Sequence, residues 1–123
     1  MDGKILPSLI LLTYKGKALL MQKVNSPIDE EKHPWCLIEG TKEKKESFEN
    51  AMSKRVEKEM GIKIGKVEFV SESCYQARLT DDNVNKIERA ENQLLDFFTL
   101  KELKKLFLSS TTAQFISKHS ALI

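Results

Sequence analysis

The stretch GTKEKKESFENAMSKRVEKEMGI, Gly40 to Ile62, decides how this chain is read. Its second half has the pattern of a helix. Phe48, Met52, Val56 and Met60 recur every four residues and Ala51 joins them, which makes one apolar stripe. Ser47 is a capping residue at the start, with Glu49 and Asn50 in the first turn. Gly61 ends the pattern, because glycine accepts the left-handed conformation that closes a helix. The spacing therefore predicts a helix over Ser47 to Met60, preceded by a loop over Gly40 to Lys45. Residues three and four apart share a helix face, so Arg55, Lys58 and Glu59 project together.

Working outward, Ile5 to Thr13 and Ala18 to Gln22 are β-prone runs joined by Tyr14-Lys15-Gly16-Lys17, a hairpin signal. Lys23 to Pro34 is polar, carries Asp29-Glu30-Glu31 and reads as a surface loop. Pro34 holds His33 extended and leads into a short strand, Trp35 to Ile38. After the helix, Lys63 to Leu79 alternates in a β-prone manner, and Thr80 to Asn92 reads as loop around Asp81-Asp82-Asn83. Gln93 to Thr99 is an aromatic-rich strand in which Phe97 and Phe98 must face opposite sides. Leu100 to Phe107 is a short helix and Ser109 to His119 a final one. Helices that enter after several strands predict an α+β fold with a mixed sheet between layers.

The 123 residues are read as one domain, 1–123. With 41% hydrophobic and 31% charged residues, the chain has an ordinary globular composition. Its net charge of +2 comes from interspersed acids and bases, so a nucleic-acid partner is neither demanded nor favoured, and no basic stripe with aromatic interleaving occurs. Cys36 and Cys74 match no metal-ligand spacing and read as buried free thiols, which fits a reducing cytoplasm. No apolar run approaches the ~20 residues that span a bilayer, and Met1-Asp2-Gly3-Lys4 lacks a signal-peptide layout. A homodimer is compatible with so short a chain.

The stretch Gly40 to Ile62 resembles the Nudix box, G-x5-E-x7-R-E-U-x-E-E-x-G-U, where U is aliphatic. Gly40, Glu46, Val56, Glu59, Gly61 and Ile62 match it. Trp35 to Gly40 looks like the family's strand entering the box, and Leu94 to Leu103 like its late strand and following helix. The resemblance implies the Nudix fold, a mixed sheet between helices. It also implies hydrolysis of a nucleoside diphosphate linked to another group, with Mg²⁺ or Mn²⁺ as cofactor. Such a metal needs hard oxygen ligands converging on one point. The box departs from the pattern where that chemistry resides. Lys54 stands at the family's Arg, and Arg55 and Lys58 stand at two of its glutamates. Shifting the register by one would align Arg55 with the Arg but put Glu57 on the aliphatic position and break the spacing to Gly61.

At ~4 Å two unit charges interact by about 4 kcal/mol at an effective dielectric of 20, so exchanging two glutamates for two cations turns attraction for a metal into repulsion. The resemblance assigns Glu46 and Glu59 to catalysis and metal binding, whereas Arg55, Lys58 and Gly40 are read as substrate-binding residues. Glu43, Glu88 or Glu91 could complete a metal site that is weakly held or lost. The structural reading of the same residues is an ion-paired patch. In the functional reading Arg55 and Lys58 hold phosphates directly. Trp35 reads as a core or sheet residue, Asp81-Asp82-Asn83 as a turn rather than a calcium loop, and His33 and His119 as residues without a catalytic partner in sequence. Two functions remain: a hydrolase of weak or altered activity, or a catalytically silent domain that binds a nucleotide or a protein.

Overall fold

A hairpin starts the described structure and everything else is built on its first strand. The computed structural model describes residues 8–23, 33–40, 46–89 and 93–123. Strands β1 (Ser8–Tyr14) and β2 (Lys17–Lys23) meet at Lys15 and Gly16, both with positive φ (49° and 77°). Two such residues give a turn whose twist matches that of the strands, and glycine makes the second of them free of strain.

β1 is apolar along its length because both of its sides are covered. Ile10 and Leu12 pack with Met52, Val56 and Met60, whereas Leu9 and Leu11 pack with Phe98, Phe115 and Ile116. The helix α1 (Phe48–Met60) lies on the first side. The helices α3 (Leu100–Leu103) and α4 (Ser110–His119) lie on the other, so the sheet is sandwiched as the α+β reading expects. Phe97 and Phe98 divide between the two layers, and Trp35 packs edge-on against Phe98 at 4.9 Å.

With β4 at Glu68–Ser71, β5 at Cys74–Arg78 and β6 at Gln93–Phe98, the six-stranded sheet runs β4-β5-β1-β2-β6, and β3 (Ile38–Gly40) is also paired to β1. β1 pairs with β2 only at the hairpin end, Thr13 with Ala18 and Tyr14 with Lys17. Towards its start β1 pairs instead with β3, Ser8 opposite Gly40 and Ile10 opposite Ile38. The two hairpin strands thus part, and β3 joins β1 where β2 leaves. That brings Gly40 to the edge of α1. β5 (Cys74–Arg78) runs parallel to β1 and β6 (Gln93–Phe98) antiparallel to β2, so the sheet is mixed.

Four expectations need correction. The regular strand is Ile38–Gly40 rather than Trp35 to Ile38, since Trp35 and Cys36 bridge to different neighbours, Leu108 and Met21. Lys63 to Leu79 contains a second hairpin, β4 (Glu68–Ser71) and β5, turning at Ser73 with φ 61°. Asp81-Asp82-Asn83 opens a helix, α2 (Asp81–Lys86), and is not a loop. Thr80 accepts from the Asn83 N–H while the Asn83 side chain accepts from the Thr80 N–H, and two acids sit at the positive end of the dipole. α3 is shorter than the expected Leu100 to Phe107. Ile5 to Pro7, most of the Lys23 to Pro34 loop, and the Gly40 to Lys45 loop beyond Gly40 lie outside the described residues. Among the described residues no helix is long and apolar enough to cross a membrane.

Candidate functional site

α1 begins and ends as its sequence demands. Ser47 caps it by accepting from the Asn50 N–H at 3.1 Å, and Gly61 closes it in the left-handed conformation at φ 70°. Ala51, Met52, Val56 and Met60 are buried. At the β3 end, a methyl group added at Gly40 would lie 2.8 Å from the Met52 Cε and 3.2 Å from the Arg55 Cγ. Glycine lets strand and helix approach this closely without displacing the Met52 methyl or the Arg55 stem. Gly40 therefore serves packing, and its side of the helix carries Arg55.

That side of α1 carries the charges. The Arg55 Nη2 lies 3.0 Å from one Glu59 oxygen, a pair four residues apart along the helix. The second Glu59 oxygen accepts from the Gln93 Nε2 of β6, also at 3.0 Å. Both oxygens of Glu59 are engaged, and its side chain is only 12% exposed. Glu46 is paired with Lys54 at 2.8 Å, tying the start of the box to the middle of the helix. The two carboxylates expected to share a site are thus each held by a different cation. Lys58 is exposed. The Glu88 N–H donates to the Met60 carbonyl at 2.8 Å and its side chain lies over Gly61, at the end of α1. Glu43 and Glu91 lie outside the described residues.

Arg55, Glu59 and Gln93 line a cleft of about 160 Å³ together with Lys23, Cys36 and Glu39. Two polar atoms there, the Arg55 Nε and the Gln93 Oε1, are buried without a hydrogen-bond partner among the described residues. Burial pushes the Cys36 thiol up, and the nearby Glu39 carboxylate adds to the effect, which disfavours the thiolate. Among the described residues no group of three or more His, Cys, Asp or Glu side chains is arranged to hold a metal ion. A divalent ion of the Mg²⁺ type needs several oxygens at one point. The one cleft carboxylate on α1 is already shared between a guanidinium and an amide, so the donor set among the described residues does not fit such an ion.

A larger cavity of about 610 Å³ opens between the β4–β5 turn and α4, and Glu39 lines both spaces. Here the Ser71 Oγ and the His119 Nε2 are 3.1 Å apart, and His119 stands edge-on to Phe115. The sequence offered no partner for His119 because Ser71 is 48 residues away. Gln93, 34 residues from Glu59, was read only as the start of a strand. His33 stands half-buried beside Gln22, whose side chain donates to its carbonyl. Asp81 is bound by the Tyr14 hydroxyl and then Lys15, which lower its pKa. It takes no part in this site. Cys36 and Cys74 are free and half-buried.

A family model described as "NUDIX domain" matches residues 7–118. Among solved structures, this chain is similar to MutT from Aliivibrio salmonicida and Vibrio cholerae, at 16% identity over 97% of this chain and 98% of that one, TM-score 0.70. It is similar to a MutT NUDIX hydrolase from Burkholderia pseudomallei at 17% identity, covering 96% and 99%, TM-score 0.72. The NUDIX domain of Shewanella oneidensis NrtR, solved in complex with ADP ribose, aligns at 16% identity over 100% and 91%, TM-score 0.67. Identities this low speak for the fold alone. No curated protein matches.

Proposed function

The chain belongs to the NUDIX family, and from that premise we propose that it is a Nudix-type hydrolase of attenuated activity towards a nucleoside diphosphate linked to another group. One observation carries the reading. The box keeps its frame of Gly40, Glu46, Glu59 and Gly61, yet Glu59 is clasped by Arg55 and Gln93. The reaction adds water across a phosphoanhydride: a P–O bond to phosphorus forms, the bridging P–O bond breaks, and two phosphate esters leave. Its difficulty is the negative charge that builds on the phosphates. Nudix hydrolases in general meet this with divalent metal ions, Mg²⁺ or Mn²⁺ by expectation. Here the cations at hand are Arg55 and Lys58, which stabilise such charge less strongly, and turnover is accordingly low.

The cavity of about 610 Å³ beside α4 has the size of a nucleoside subsite, and Glu39 links it to the α1 cleft. The ADP ribose bound by the NrtR domain supports a small phosphorylated ligand as the class. Two half-buried free thiols support a reducing compartment, and we read the whole chain as one domain. Full engagement of Glu59 also favours the second reading, a catalytically silent domain that binds its nucleotide. A panel of nucleoside diphosphate derivatives, ADP ribose included, assayed for phosphate-ester release with Mg²⁺ and with Mn²⁺, separates the two. Slow, saturable release supports the hydrolase. Saturable binding with no release above the uncatalysed rate replaces it with the silent reading.

A further inference from the structure

We infer that the charged side of α1 holds the phosphates of its ligand directly, through Arg55 and Lys58, with no divalent cation between protein and phosphate; this rests on the reading that the ligand is a phosphorylated nucleotide. Four observations converge on it. The cleft sets two cations, Lys23 and Arg55, against two carboxylates, Glu39 and Glu59, and Lys58 adds a third cation one helical turn from Arg55. Glu59 is tied to Arg55 and Gln93, which reduces its repulsion of an incoming anion. The Arg55 contact to Glu59 runs through Nη2, its Nε has no hydrogen-bond partner among the described residues, and its side chain is 41% exposed. A guanidinium used on one nitrogen keeps donors for a second oxygen, and planar forks of this kind suit phosphate. Lys58, one helical turn from Arg55 on the same face, is exposed and forms no ion pair among the described residues.

A cluster of carboxylates would repel a phosphate until a metal arrived. This site carries its positive charge in side chains. Phosphate binding is therefore independent of metal, and it weakens with salt as contacts between exposed charges do. The Arg55–Glu59 pair keeps the guanidinium on the cleft side of the helix, ready to meet a phosphate without rearranging the backbone.

The test is calorimetric titration with inorganic pyrophosphate and, separately, with ADP ribose, each in EDTA and each with excess Mg²⁺. Wild type should bind both in EDTA, with affinity unchanged by Mg²⁺ beyond the affinity of free pyrophosphate for the metal. Arg55→Gln and Lys58→Gln should each weaken binding about tenfold or more, since each removes charge-assisted hydrogen bonds. Glu57→Gln, at an exposed position on the same helix, should leave it within error. Thermal unfolding of each variant verifies that the fold is retained. Binding that requires Mg²⁺ overturns the inference and leaves the hydrolase reading standing. Binding in EDTA that ignores Arg55→Gln and Lys58→Gln also overturns it, because the phosphates then sit elsewhere. Failure of both ligands to bind with or without metal removes the inference and the nucleotide reading together.

Discussion

The two sides of α1 differ in what they have kept. The side facing the sheet holds Ala51, Met52, Val56 and Met60, all buried, against Ile10, Leu12 and Leu19. The charged side holds Lys54, Arg55, Lys58 and Glu59, of which Arg55 and Glu59 line the cleft, and there two positions of the family pattern have reversed their charge. One helix therefore carries two kinds of information that vary independently. Packing depends on volume and apolar surface at close quarters, so it tolerates little change. The cleft depends on charge at a partly solvated surface, where an ion pair of the new kind contributes little to stability and costs little to introduce. Fold and chemistry can part company on a single helix.

The buried side is the easier one to break. Met52→Ala should cost about 2–5 kcal/mol of unfolding free energy, because the side chain is fully buried and a cavity would remain. Denaturant titration gives the value. A loss under about 1 kcal/mol would mean that the sheet-facing stripe is not what holds α1 down.

Gly40→Ala should cost less, about 1–3 kcal/mol, as an overpacking strain between β3 and α1. Its new methyl would meet the flexible end of Met52 at 2.8 Å. Paired with Met52→Ala, which vacates that space, the penalty should shrink, and a double-mutant cycle would reveal the coupling. Strict additivity would show that the two residues do not press on one another.

Arg55→Gln and Lys58→Gln probe the cleft side and should each change stability by under about 1 kcal/mol, since Arg55 is 41% exposed and Lys58 is at the surface. Thermal melts of these two beside Met52→Ala put both sides of the helix on one scale. A large loss from either charged position would erase the contrast.

The smallest effect belongs to acid. The folded structure lowers the pKa of Glu102 through the Thr99 N–H and then the Thr99 hydroxyl, and that of Asp81 through the Tyr14 hydroxyl and then Lys15. A carboxylate with a lowered folded pKa adds stability above its ordinary pKa and loses it as pH falls through the folded one. Acidification should therefore loosen the cap of α3 and the contact of Asp81 with Tyr14 and Lys15 while the apolar face of α1 is still packed. Amide exchange followed by NMR from neutral to acidic pH would show the order, and simultaneous loss everywhere would contradict it.

How much of this was legible in the sequence follows from where each partner lies. α1 was readable to within a residue at each end because its stripe, its cap and its closing glycine are all local. β1 was readable as a strand, but its burial on both sides was not, since that requires knowing that helices cover each face. α2 was missed because it has no buried residue and is held by its capping box, so its composition is that of a loop. The pairings that define the cleft were the least legible. Gln93 reaches Glu59 from 34 residues away and His119 meets Ser71 across 48, and nothing in local spacing announces either contact.

The charge reversal on the cleft side is the centre of the account, and metal binding reads it most directly. Wild type and the Arg55→Glu, Lys58→Glu double variant are titrated with Mn²⁺ and followed by electron paramagnetic resonance of the free ion. The double variant places three carboxylates at positions 55, 58 and 59 of one helix face, a change of four charge units towards the cation. Saturable Mn²⁺ binding by the double variant, with only weak and unsaturated binding by wild type, is the predicted result. Equally tight saturable binding by both proteins would mean that the chain assembles a metal site from other residues and that Arg55 and Lys58 do not define its chemistry.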